Sequence, residues 1–410
     1  MPKIKVLDEN TACRIAAGEV VQRPVSVVKE LVENALDAGA DFISVSIRGG
    51  GLASIKVTDN GHGMSQEDIP LAFQRHATSK INDIEDLQHI STLGFRGEAL
   101  PSIAAVSDLL IKTRVTGDVE GYYMHLKGGH IVEEGPAGCP VGTTILVKDL
   151  FFNTPARRKH LKSAATEGGL VNDLVYKMSL IRPRTRFVLE HNGREVFRSP
   201  GSGKVLDALA SVYGVDAAAA MVPLQYEVPG IKLNGYVSKP ELNRSTRQQI
   251  TLAVNGRLVR SAAVNQALEN AYRGLLTVGR FPVVLLYLTV PPEKIDVNVH
   301  PAKAEVKMEQ EREITSLITF AVRDVLRKTC LVPTVDNKGR RGDGAPAAQQ
   351  ARLSFSRPEP AEMNPVPPRG GFMFTGDETA PGAGAASGEG SGQVAETPAG
   401  YPQRQFPDMQ

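Results

Sequence analysis

Glu30 and Asn34 place a carboxylate and an amide four residues apart, one turn of a helix from each other. That pair fits phosphoryl transfer to water. The carboxylate orients and deprotonates a water, and the amide oxygen binds Mg2+, a hard cation that favours oxygen ligands and keeps several waters. Asp59 ends a strand-like run and opens Asp59-Asn60-Gly61-His62-Gly63. Glycines at 61 and 63 let the backbone turn sharply and approach a ligand closely, which leaves the Asp59 carboxylate free to bond an adenine amino group. A hairpin-like Asp-x-Gly turn accounts for the same residues without any ligand. Further on, Gly94-Phe95-Arg96-Gly97-Glu98 leads into a helical stretch that includes residues 101–106. A glycine-rich loop meeting a helix start is a natural phosphate site, because unpaired N–H groups and the helix dipole both attract anions. Neither G-x-x-x-x-G-K-[ST] nor a G-x-G-x-x-G after a strand occurs, so the pattern is neither P-loop nor Rossmann.

The elements that must hold these groups are a helix and a strand. Residues 24–38 read as one helix, with Pro24 near its start and Gly39 just past its end. At about a hundred degrees per residue, Val28, Leu31, Val32, Ala35 and Leu36 gather on one side and Glu30, Asn34 and Asp37 on the other. Taken alone, that polar side is ordinary solvated surface. Residues 55–58 alternate as a strand does and deliver Asp59 to its end.

With 410 residues, 41% of them hydrophobic, the chain is long enough for two cores. A net charge of +2 argues neither for nor against a nucleic-acid partner, so any DNA-binding surface must be local. The start of the chain lacks the apolar core of a signal peptide, and no apolar run is long enough to span a membrane, which reads as cytoplasmic. Cys13, Cys139 and Cys330 are too scattered for a zinc site or a disulfide framework. The segment 199–203, Ser-Pro-Gly-Ser-Gly, marks a domain boundary, and from Pro333 the composition turns to Pro, Gly, Ala, Ser and Gln, which offers too little apolar surface to fold.

Taken in order, Glu30 with Asn34, Asp59 with Gly61 and Gly63, the loop from Gly94 to Gly97, and Thr143 after Gly142 resemble the four ATP-site motifs of the GHKL superfamily. Three longer strings resemble the MutL-type mismatch-repair family within it: residues 94–100 (GFRGEAL), 153–159 (NTPARRK) and 296–303 (DVNVHPAK). The resemblance covers residues 1 to about 330. It implies an α+β chain: a two-layer α/β sandwich ATPase domain over 1–200, a smaller transducer domain over 204–331, and a disordered tail over 332–410. It further implies ATP and Mg2+ as cofactors, Glu30 as general base, Asn34 as Mg2+ ligand, and Asp59 reading adenine with support from Thr143. Thr78, Ser79 and Lys80, with Gly94, Phe95, Arg96, Gly97 and Glu98, resemble the lid over the phosphates, and Lys303 the lysine that reaches the γ-phosphate. Implied partners are a MutS-type mismatch sensor, a helicase or nicking endonuclease, and a second copy recruited by ATP, in a nucleoid-associated protein.

Arg157, Arg158 and Lys159 form the densest basic cluster of the folded part, and Arg257 with Arg260 a second. Both are candidates for DNA phosphates, and pairing with acidic side chains is the alternative. Weak, sequence-independent, salt-sensitive DNA binding is the expectation. In the tail, Gln350, Leu353 and Phe355 resemble the Q-x-x-L-x-F peptides that dock on sliding clamps. No metal-dependent nicking motif is visible, so endonuclease activity is not expected of this sequence. The competing readings are another GHKL ATPase, such as a topoisomerase subunit, or a scaffold switched by nucleotide without hydrolysis.

Overall fold

The computed structural model describes residues 17–78, 92–94, 97–296, 307–308 and 310–330. Ser79, Lys80, Phe95, Arg96, Lys303, Gln350, Leu353 and Phe355 lie outside them, as does the Pro-rich segment from 333 onward. Contacts divide the chain into two units, 1–336 and 337–410, and the description that follows is of the first.

Helix α1 runs Pro24–Asp37, with Pro24 at its first turn, where the missing N–H is no loss. Its end is a Schellman turn: Gly39 takes a φ of 74° and donates to Leu36 O at 3.0 Å, while the Ala40 N–H reaches Ala35 O at 3.1 Å. Val27, Val28, Leu31, Val32 and Ala35 are buried, and each of the larger ones contributes roughly 1.5–3 kcal/mol by leaving water.

Strands β1 (Phe42–Arg48) and β2 (Ser54–Asp59) follow, then short helices α2 (Asp68–Ala72) and α3 (Ala99–Ala105). Next come β3 (Asp108–Arg114), β4 (Gly121–Lys127), β5 (His130–Ala137), β6 (Gly142–Lys148), α4 (Pro155–Lys159), α5 (Ala164–Ile181), β7 (Arg186–His191) and β8 (Arg194–Arg198). These eight strands form one sheet in the order β5-β4-β3-β6-β2-β1-β7-β8. All neighbours are antiparallel except β1 and β7. Alternation assigns the faces. Ile43, Val45, Ile55, Val57, Leu109, Ile111, Ile145 and Val147 point inward and pack with α1, α3 and α5, whereas Lys56, Lys112 and Lys148 stand exposed on the other side. The result is the two-layer arrangement that the family resemblance implied.

After helices α6 (Val205–Tyr213) and α7 (Val215–Ala219) come β9 (Met221–Val228), β10 (Ile231–Ser238), the two-residue β11 (Asn243–Arg244), β12 (Ile250–Val254), β13 (Arg257–Val259), α8 (Ala262–Ala271), β14 (Phe281–Pro282) and β15 (Val284–Thr289). A second sheet is ordered β13-β12-β15-β10-β9. Helix α8 and the long α9 (Glu311–Cys330) cover it through Val264, Leu268, Ile314, Ile318 and Val322. Its other side meets the first half of the chain: Ala253 belongs to the first core, with Leu258 and Tyr287 packed against it, and Leu180 of α5 clusters with Val283 and Leu285. Two hydrogen bonds reinforce the join, from Tyr287 Oη to Leu180 O at 2.7 Å and from Arg182 Nη2 to Gly256 O at 3.1 Å. No helix among the described residues is long and apolar enough to cross a membrane.

Candidate nucleotide site

Asp59 closes β2 on the inward, helix-facing side of the sheet, opposite Thr143 at the start of β6. The Gly61 N–H donates to its Oδ1 at 2.9 Å, and the Thr143 N–H also bonds the carboxylate. Burial nevertheless pushes the Asp59 carboxyl up from the usual range, against those two bonds, which favour the charged form. Behind it, Thr113 of β3 orients the neighbour. Its hydroxyl donates to Gly142 O at 3.0 Å, accepts the Met64 N–H at 2.9 Å and lies 3.0 Å from Thr143 Oγ1. Thr113 is a residue the sequence did not single out, and its one signal is a hydroxyl that continues the buried alternation of Leu109 and Ile111 along its own strand.

The turn after Asp59 is no hairpin, since β2 pairs with β1 and β6 and the next strand begins at Asp108. The chain instead presses against its surroundings. A Cβ on Gly63, whose φ is 75°, would stand 2.1 Å from Arg114 O, and one on Gly142 would stand 2.2 Å from Asp59 O. Gly61 abuts Ala38, and His62 N donates to Ala38 O at 3.0 Å, which ties the turn to the end of α1.

On α1, Glu30 keeps 13% of its side chain exposed and shares Lys29 with Glu33, at 3.3 and 3.1 Å. Burial pulls the Lys29 ammonium down, but the two carboxylates outweigh it and leave it raised. Asn34 lies one turn beyond Glu30 on the same helix, half-buried. Asp37, which the sequence placed merely on the polar side, accepts the Leu93 N–H at 2.8 Å and the Gly94 N–H at 3.0 Å. The last turn of α1 therefore grips the start of the glycine loop. At that loop's far end Gly97 has a φ of 60°, and a Cβ there would lie 2.3 Å from Ala77 O, next to exposed Thr78. Glu98 faces His76 at 3.8 Å, and α3 begins at the following residue. The structure thus brings α1, the Asp59 turn, the loop and Thr143 together. Ser79, Lys80, Phe95, Arg96 and Lys303 fall outside the described residues. A shallow cavity lined by Asp108, Lys112, Tyr123, His125 and Lys148 lies on the opposite face of the sheet, away from these groups.

The basic residues divide. Arg158 and Lys159 in the last turn of α4 and Arg260 after β13 are exposed. Arg157 is half-buried against Gly18, where a Cβ would lie 2.0 Å from its Nη2. Arg257 is also drawn inward, and its guanidinium bonds Thr92 O rather than standing on the surface.

A mostly antiparallel sheet layered with helices on one face, carrying this pocket between α1, a strand-end aspartate and a glycine loop, has the architecture of the GHKL ATPases. Residues 22–133 match the family described as histidine kinase-, DNA gyrase B- and HSP90-like ATPase, and residues 209–327 match that described as DNA mismatch repair protein, C-terminal domain. Over these residues the chain is thus similar to GHKL ATPases and to DNA mismatch-repair proteins. It is 52% identical over 337 residues, 82% of its length, to DNA mismatch repair protein MutL of Pelotomaculum thermopropionicum, of which it covers 56%. It is 45% identical over 398 residues, 97% of its length, to the MutL of Symbiobacterium thermophilum, of which it covers 60%. The chain therefore spans a little over half the length of these relatives. Among solved structures, the Aquifex aeolicus MutL ATPase domain complexed with ADP is 28% identical with a TM-score of 0.53, and the match covers 73% of this chain and 98% of that domain.

Proposed function

We propose that the chain binds Mg-ATP in this pocket, hydrolyses it, and uses nucleotide state to switch contacts in DNA mismatch repair. The observation that carries the reading is the Asp59 carboxylate, half-buried at a strand end and braced by Gly61 and Thr143 beside α1. A charge kept there at the cost of desolvation calls for a donor, and an adenine amino group is one. Glu30 is the general base that deprotonates the attacking water. Asn34 supplies one amide oxygen to Mg2+, and a single protein ligand suits a cation that fills its other positions with phosphates and waters. The backbone at Gly94 and Gly97, with Thr78, Ser79, Lys80, Phe95, Arg96 and Glu98, closes over the phosphates, and Lys303 reads the terminal one. In this reading 1–200 is the ATPase domain and 204–331 the transducer.

ATP-driven pairing of two copies, contact with a MutS-type sensor and with a helicase or nicking endonuclease, and clamp docking through Gln350, Leu353 and Phe355 complete the proposal. Exposed Arg158, Lys159 and Arg260 give DNA a sequence-independent hold, whose affinity falls with salt by about 0.9 in log-log slope for each phosphate neutralised. Sedimentation velocity with and without a nonhydrolysable ATP analogue and Mg2+ tests the switch. A shift to a dimer with the analogue supports it, and an unchanged monomer refutes ATP-driven pairing.

A further inference from the structure

We propose that Arg257 is a positioning residue of the nucleotide site, holding the first residue of the phosphate loop from the second sheet. The inference rests on the nucleotide-binding reading above and adds to it a residue that the sequence pointed toward DNA. Arg257 begins β13, and its guanidinium donates to the carbonyl of Thr92, 165 positions earlier in the chain. From α1, Asp37 accepts the N–H groups of Leu93 and Gly94 at 2.8 and 3.0 Å. Three consecutive loop residues are thus fixed between a base on the second sheet and an acid on α1, just before the loop leaves toward Gly97.

The arm that carries Arg257 is braced by hydrogen bonds at its turn. Asn255 and Gly256 both take positive φ, 47° and 77°, as a two-residue hairpin turn of the primed type requires. The Asn255 side chain bonds both the carbonyl and the N–H of Val290, at 2.9 and 3.0 Å, and Arg182 holds Gly256 O from the first half of the chain. Burial lowers the pKa of Arg257, and the fields of Glu33 and Asp37 oppose that loss. Glu33 is in turn paired with Lys29, which also holds Glu30. A run of alternating charges therefore leads from the base on α1 to the second sheet. A loop anchored in advance loses less conformational freedom when a ligand orders it, so anchoring favours binding. Any shift of the second sheet also moves the anchor of the loop.

The test compares Arg257→Ala and Arg257→Lys with the unsubstituted chain, measuring binding of a nonhydrolysable ATP analogue with Mg2+ and the steady-state constants for ATP. Loss of a charged hydrogen bond sets the expected size, so Arg257→Ala should bind roughly tenfold more weakly and raise KM, with kcat changed much less. Arg257→Lys keeps the charge and one donor and should fall between. Damage to the fold would lower the active fraction, reducing kcat at constant KM, and that result overturns the proposal. Wild-type constants in Arg257→Ala, or a lysine variant no better than alanine, also overturn it. If the unsubstituted chain itself fails to bind the analogue, the nucleotide reading has failed instead.

Discussion

Asp59 is held by two opposed requirements. Two N–H donors favour its charge, while burial raises its pKa above the ordinary value. An acid whose folded pKa is raised stabilises the fold below the unfolded pKa of about 3.9, and that contribution is lost as pH rises through the folded pKa. Ionising Asp59 in the folded chain thus costs stability, and that cost is retained for binding. Asp59→Asn should melt at the same or a higher temperature at pH 7 and lose ATP binding, measured by thermal denaturation and analogue titration; a variant that melts lower and binds normally contradicts this role. Asp59, Gly61 and Gly63 were legible in the sequence because residue type and adjacency carry their signal. Thr113, the Asp37 grip and Arg257 were not, since each acts through a partner 30 to 165 positions away and sequence spacing gives no hint of that pairing.

Helix α1 was readable at both ends because its signals are local, proline at the start and glycine in the left-handed turn after it. The turn after Asp59 was ambiguous, because the register that excludes a hairpin depends on β6, more than eighty residues later. Two glycines separate conformation from contact. At Gly39 a side chain meets nothing within 4 Å, so Gly39→Ala should cost only the left-handed φ, roughly 1–2 kcal/mol, and leave ATP affinity intact. Gly142→Ala drives a methyl into the Asp59 backbone and should cost more stability and weaken analogue binding together. Equal binding in the two variants would contradict the close packing of β2 on the start of β6. Beneath them, Leu31→Ala should cost about 2–5 kcal/mol in denaturant unfolding, as a fully packed leucine does.

Across the whole first unit, the two sheets share buried residues instead of meeting through a wet seam. Ala253 sits in the first core, Leu180 joins Val283 and Leu285, and Tyr287 bonds Leu180 O. The Ser-Pro-Gly-Ser-Gly segment marks where one sheet ends and the next part begins, but composition could not reveal how much apolar surface crosses it. Calorimetry should therefore show one cooperative transition for residues 1–336, and two well-separated transitions would contradict the shared core. The proposed function requires that α1 and the Asp59 turn form a hydrolytic Mg-ATP site. Its most direct measurement is ATP turnover by the chain beside Glu30→Ala, with analogue binding measured on both. The expected result is turnover by the chain, and in the variant unchanged binding with turnover reduced by about a hundredfold or more. Wild-type turnover in Glu30→Ala, or no nucleotide binding by either protein, would contradict it.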